Sequence, residues 1–233
     1  MKIQHLPYEI DPRGNRFEYY ENWWKRVALD LLAQHTELRG KTLLDYGCGR
    51  GETLSLAKQM GLAATGTDTD PECVARAGAH GTAVALDAAD PVGQFGRRSF
   101  DVVACFHVLE HVDNPKRVLT GLAAIARSHV LLAVPNLRHL SRLTERDFSL
   151  TECNAGHLHA WDHWHLRNLA ERHCGLELVG WGSDATLLGG VSNAVQKIFG
   201  NRAAIRLETG LFRRLFPYHC ISVIGLFRVR AGP

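Results

Sequence analysis

A chain of 233 residues, 45% hydrophobic and 22% charged, has ordinary globular proportions and room for one α/β domain with additions. Its formal net charge of +3 is too mild to announce a nucleic-acid partner; no apolar run reaches membrane-span length, and Met1 to Pro7 lacks a signal peptide's apolar core. Cys48, Cys73, Cys105, Cys153, Cys174 and Cys220 form no C-x-x-C pair, which argues against a zinc ribbon; Cys48 in a glycine turn and Cys105 in an apolar run read as free thiols in a reducing compartment, and a cytoplasmic location is expected.

Residues 1–16 are polar, with Pro7, Pro12 and Gly14, and read as an arm. From Phe17 to Gln34 apolar residues recur at helical steps (Tyr20, Trp23, Trp24, Val27, Leu31, Leu32), so residues 1–36 are expected to form an N-terminal cap helix. Leu43 and Leu44 begin a short buried strand that ends in Asp45. Gly47, Gly49 and Gly51 then alternate with other residues before a helical stretch that runs to about Met60. Strand, glycine turn and helix together let a ligand approach the backbone at a helix N-terminus.

A second strand, 63–68, ends in Asp68, and Asp70-Pro71 starts the next helix. A third, 82–87, ends in Asp87, and residues 89–98 read as a loop. The fourth, 99–106, leads into His107-Val108-Leu109-Glu110-His111. A helix over 116–126, a fifth strand at 130–134, a helix over 166–174, a sixth strand at 176–181 and a seventh at 221–227 complete the pattern. Residues 137–165 and 182–220 read as lid or substrate insertions within one domain, 1–233. The longer one is too long for a hairpin and is expected to carry one or two helices.

The glycine turn is Asp-x-Gly-x-Gly-x-Gly, not the G-x-G-x-x-G of a dinucleotide site, which argues against a nicotinamide-dependent oxidoreductase. With Asp68, Asp87-Ala88, Phe100-Asp101-Val102-Val103 and His107-to-His111 following in register, residues 17–181 and the last strand resemble the class I S-adenosylmethionine (SAM)-dependent methyltransferases. The post-strand segment resembles the small-molecule type, including the ubiquinone-biosynthesis O-methyltransferases. The resemblance implies a doubly wound α/β sheet of seven mostly parallel strands, order 3-2-1-4-5-7-6, with strand 7 antiparallel and helical lid insertions. It implies SAM as cofactor, S-adenosylhomocysteine (SAH) as product, and a small-molecule acceptor, with a hydroxyl expected. A macromolecular acceptor (protein or RNA) or a non-catalytic SAM-binding protein are the alternatives.

On that resemblance the donor is expected to meet Asp45, Gly47, Cys48, Gly49, Asp68, Thr69, Asp87, Ala88 and Phe106. Asp68 would take the ribose hydroxyls, Asp87-Ala88 the adenine, and Arg26 the methionine carboxylate. In-line transfer to a hydroxyl needs a route for its proton, and histidine titrates in the right range. His107 and His111 are therefore the candidate bases. Two other readings stay open: His107, Glu110 and His111 share one helical face and can bind a divalent ion, or they are structural. Glu110, His157 and His159 are substrate-side candidates. The cluster His157, His159, His163 and His165 reads as a lid rather than a metal site, and no metal is expected. The stretch 201–216 is expected to be a basic amphipathic helix that packs as a lid or meets a lipid-like substrate or membrane surface.

Overall fold

The computed structural model describes residues 16–141 and 154–230. The arm at 1–15 and residues 142–153 of the first insertion lie outside the described residues. Helix α1 (Arg16–His35) precedes β1 (Thr42–Tyr46), α2 (Glu52–Gln59), β2 (Ala63–Asp68), α3 (Pro71–Ala77) and β3 (Thr82–Ala85). A short α4 (Pro91–Phe95) stands where the sequence reads as loop. Asp90 accepts from the Gly93 N–H and Pro91 supplies a preset first turn, a helix start too brief for periodicity to register. Then come β4 (Phe100–Phe106), α5 (Pro115–Ile125), β5 (Ala126–Pro135), α6 (His163–His173), β6 (Leu176–Gly182), α7 (Gly189–Phe199), α8 (Asn201–Arg206), a π-helical stretch (Leu207–Phe212), α9 (Arg213–Leu215) and β7 (Ser222–Val229).

The sheet has the order β3-β2-β1-β4-β5-β7-β6, as the resemblance implies. β7 runs antiparallel to β5 and β6, and the remaining pairings are parallel. Two consequences position the site. The strand order reverses between β1 and β4, which opens a crevice beyond their carboxyl ends. And because β7 is antiparallel to both neighbours, β6 ends at that same edge, where β7 begins.

The central strands are buried on both faces, and their alternation divides the core. Val103, Cys105, Leu132 and Val134 pack toward α5 and α6. Val102, Ala104, Phe106, Leu131 and Ala133 pack toward α1, whose Ala28, Leu29, Leu31 and Leu32 form the opposing stripe. Asp70, Asn114 and Asp162 each cap a helix by accepting a backbone N–H. The helix expected at 201–216 runs without interruption from Asn201 to Leu215, with the π-helical stretch between α8 and α9. Its buried side is a small separate core in which Ile205 meets Tyr20, Ala185 and Leu187. Among the described residues no helix is long and apolar enough to cross a membrane.

Candidate active site

The glycine turn is held from beneath. Gly47 and Cys48 both donate to the Thr67 carbonyl, at 2.8 and 2.9 Å. Gly47 has φ +80°, and a Cβ there would lie 2.3 Å from Val108 Cγ2, so this glycine lets the turn press against the post-β4 loop. Gly49 differs: its φ is +51°, but a Cβ would meet nothing within 4 Å, and it faces open space. The Gly49 N–H donates to Asp68 Oδ2 at 2.9 Å, and Asp68 Oδ1 accepts from Asp70 N–H at 3.0 Å. Each oxygen retains a lone pair for a ligand. Further along the edge, Asp87 Oδ1 accepts from Ala89 and Asp90 N–H. Gln94 clamps this corner, accepting from Asp87 N–H at 2.8 Å and donating to Ala85 O at 2.7 Å. Thr69, Asp87 and Ala88 are exposed. Cys48 is buried, and burial pushes its thiol up to about 12.

Below the turn, Asp45 is 1% exposed, and neither carboxylate oxygen meets a well-aligned donor among the described residues. Burial pushes it up to about 7, while the Lys25 charge and the Thr53 hydroxyl pull more weakly the other way. Lys25 pairs with Glu52 at 3.2 Å and lines the cavity beside the turn. Arg26 does not: it faces Asp30, 2.9 Å away and one helical turn on, outside that lining. Lys25 and Arg26 differ by one position of helix phase, and 100° per residue turns them to different faces. The Phe106 ring is 5% exposed in the α1-side core and meets Trp24 edge-on at 5.2 Å.

His107 is the hinge of the site. It holds φ +53°, a left-handed conformation uncommon for a side chain of this size, and its N–H donates to Ala133 O at 2.8 Å. The Trp24 ring lies 4.6 Å from the imidazole. Nδ1 stands 3.3 Å from Glu110 Oε1, and Nε2 has no hydrogen-bond partner among the described residues. Glu110 is fully buried, and its carbonyl accepts from Leu158 and His159 N–H at 2.7 and 3.2 Å. A cavity of about 530 Å³ opens beside His107, walled by Tyr20, Trp24, Leu187 and Ile221, with Lys25, Asp184 and Ser222 as polar points.

The other histidines disperse. His111 Nδ1 lies 2.9 Å from the Gly156 carbonyl and so carries its proton there, and His159 Nε2 donates in the same way to Val112 O at 3.0 Å. His157 meets the His111 ring at 4.8 Å and, with His159, lines a second cavity of about 240 Å³. His163 packs against Trp181 and Tyr218, and burial pushes it down to about 4. His165 pairs with Asp162 at 2.7 Å. The four therefore do not gather around one ion. A different trio does come together: Glu110, His111 and His157 each bring one ligand atom within 4.8 Å of the others.

Sequence reasoning missed Asp184 and Ser222. Asp184 is 1% exposed. It accepts from Ala185 N–H at 2.7 Å and Ser222 N–H at 3.2 Å, and burial pushes it up to about 6 against those bonds. The available signal was an acid just past β6, the same pattern as at β1, β2 and β3.

The sequence from residue 14 to residue 179 matches the family model of the methyltransferase domain, most of the chain. The chain belongs to that family. With its sheet order, this methyltransferase domain takes its place among the class I SAM-dependent methyltransferases. It is 31% identical over 107 residues to a ubiquinone biosynthesis O-methyltransferase of Hahella chejuensis, an alignment covering 43% of this chain and 45% of that protein. The domain thus spans about half the length of the curated relatives it matches. Among solved structures, a Haloferax volcanii methyltransferase in complex with the Trm112 activator superposes with TM-score 0.65 at 20% identity, covering 94% of this chain and 95% of that one. The magnesium protoporphyrin IX methyltransferase of Synechocystis PCC 6803, with bound SAH, gives 0.62 at 16% identity, covering 98% and 90%. These last two likenesses speak to the fold.

Proposed function

We propose that this methyltransferase domain transfers a methyl group from SAM to a hydroxyl of a small-molecule acceptor seated in the 530 Å³ cavity, with His107 as the base. The observation that carries the reading is the place of His107. It stands between the glycine turn, which its neighbour Val108 touches, and a cavity large enough for a small organic molecule. The donor set fits SAM. Gly49 leaves open space where a side chain would intrude, Asp68 and Asp87 keep acceptor capacity for ribose and adenine, and the buried Asp45 carboxyl lies under the turn, where a cationic ligand would help ionise it. When bound, SAM supplies a methyl made electrophilic by its sulfonium.

The chain's own residues do the rest. Glu110, buried against Nδ1, orients the imidazole, which leaves Nε2 to take the acceptor's proton. Trp24 and the α1 helix cover the imidazole and limit water. Asp184 and Ser222, on the far wall, offer an acceptor and a hydroxyl to orient the substrate. The test is a SAM-consumption assay over phenolic, catecholic and aliphatic hydroxyl compounds, followed by His107→Gln on the best of them. Turnover should fall by about 10²–10⁴ with SAH affinity unchanged. A variant at full rate would remove His107 from the chemistry.

The trio Glu110, His111 and His157 favours a second reading of the same loop, a divalent ion. Two imidazoles and one carboxylate suit zinc better than magnesium. Exhaustive EDTA treatment that left the rate unchanged would retire it.

A further inference from the structure

Most of the large apolar side chains that the described residues expose lie in one short stretch. Seven of those ten fall within 191–218, and Ile198 and Phe199 are 70% and 69% exposed. The pattern is organised. On α7, Val191, Ala194, Val195 and Ile198 fall at i, i+3, i+4 and i+7, one stripe of a helix. A helix of a water-soluble domain turns such a stripe inward. Here Val191, Ala194 and Ile198 face out, and Ser192 is the helix's buried residue. Leu211 and Leu215 continue the exposed apolar surface on the following helices.

The charge around this surface has one sign. Between residues 185 and 220 the sequence holds a single acid, Glu208, which is fully buried. Lys197, Arg202, Arg206 and Arg214 are exposed, and none makes an ion pair among the described residues. Apolar side chains ringed by cations without counter-acids are the composition of a helix that lies in the interface of an anionic bilayer. A second copy of this chain would bring the same positive charges against these.

The surface is also tied to the cavity. The Glu208 carbonyl accepts from Thr186 N–H at 3.1 Å, and its carboxylate accepts from the Tyr20 hydroxyl. Tyr20 and Leu187 both wall the cavity, and Leu187 stands two residues before α7.

We propose that residues 189–216, α7 through α9, form an in-plane docking surface for an anionic lipid bilayer. Ile198 and Phe199 enter the acyl boundary, and Lys197, Arg202 and Arg206 meet lipid phosphates. This rests on surface chemistry and stands whether or not His107 is the base. Docking would set the Leu187 wall of the cavity against the membrane, where apolar acceptors partition.

The test is co-sedimentation of the full chain with vesicles of phosphatidylcholine alone or mixed with phosphatidylglycerol. Binding is expected to the mixed vesicles only, and to weaken in about 0.5 M salt. Arg202→Gln with Arg206→Gln should lower vesicle affinity roughly 30-fold, at about one lipid-facing charge each. Ile198→Glu with Phe199→Glu should abolish pelleting while the thermal melt stays unchanged. The proposal is overturned if the wild-type chain stays in the supernatant with mixed vesicles at low salt, or if the arginine pair proves neutral. It is equally overturned if gel filtration finds a dimer that Ile198→Glu splits while vesicles bind neither form.

Discussion

The two ends of the crevice are built differently. On the β1–β2–β3 side the contacts are short in sequence: Gly49 reaches Asp68 over 19 residues, and Asp87 reaches Ala89 over two. On the β4–β7 side they are long. His111 meets Gly156 over 45 residues, Asn136 meets Cys220 over 84, and Tyr20 meets Glu208 over 188. The carboxylates differ as well. On the first side Asp68 and Asp87 reach solvent and Asp45 is buried, whereas on the second Glu110, Asp184 and Glu208 are all buried, Asp184 in the wall of the cavity. A site built from sequence neighbours can be written as a local motif. A site built across the sheet is assembled from whatever the strand order brings to one edge.

The largest expected effect tests the locally written side. Gly47→Ala places a Cβ 2.3 Å from Val108 Cγ2 at φ +80°. Left-handed strain of about 1–2 kcal/mol adds to overpacking of about 1–3 kcal/mol, so urea melts should lose about 2–5 kcal/mol. Val108→Ala in the same chain should return the packing part and leave the strain. Gly49→Ala is the contrasting case. Its Cβ meets no protein atom, so stability should fall by only about 1–2 kcal/mol while SAH binding is lost to the new methyl. Equal melts for the two variants would end the distinction between a glycine that serves packing and one that serves the ligand.

The long-range side carries a pH signature. Asp184 ionises near 3.8 when unfolded and near 6 in the folded chain. As pH rises from about 4 to 6 the unfolded chain loses its proton first, so it is favoured and stability falls. The total is roughly 3 kcal/mol, complete above the folded value. Asp184→Asn keeps an acceptor for the Ser222 and Ala185 N–H groups and has no such slope. Its melts should match wild type near pH 4 and exceed it by roughly that amount at pH 8, while acceptor KM rises. Parallel stability curves would show that Asp184 is not held as a buried acid.

The same contrast explains what the sequence makes legible. Short strands that end in acids, capped helices and the Asp-x-Gly-x-Gly-x-Gly turn all declare themselves within a few residues, and the sheet order follows from them with the resemblance. Asp184 lies past β6, and its role at the crevice emerges only because β7 runs antiparallel to both neighbours and returns β6 to that edge. Lys25 and Arg26 are adjacent, and helix phase alone separates the one that lines the cavity from the one that faces Asp30. The change of pitch inside the 201–215 helix is equally unreadable, because the π-helical stretch carries Glu208, which is anchored to Tyr20 and Thr186. His157 joining Glu110 and His111 depends on the 154–161 segment folding back over the post-β4 loop.

The smallest expected effect is on donor affinity alone. Asp68 performs two tasks: it holds Gly49 and Asp70 by their N–H groups, and on the proposed function it accepts from the ribose. Asp68→Ala removes both, and SAH affinity by calorimetry should fall by about 1.5–3 kcal/mol, roughly 10- to 150-fold. Asp68→Asn keeps one oxygen to accept from Gly49 but loses the charge and the second acceptor. Its loss should be smaller, at or below about tenfold, because one neutral hydrogen bond remains where a charge-assisted pair stood. The graded pair separates the tasks. If the turn alone mattered, Asn would bind SAH like wild type and Ala would not. If the charge alone mattered, the two variants would be equally weak. Wild-type affinity in Asp68→Ala would mean that the donor is held elsewhere, and the local motif would lose its claim to the ligand.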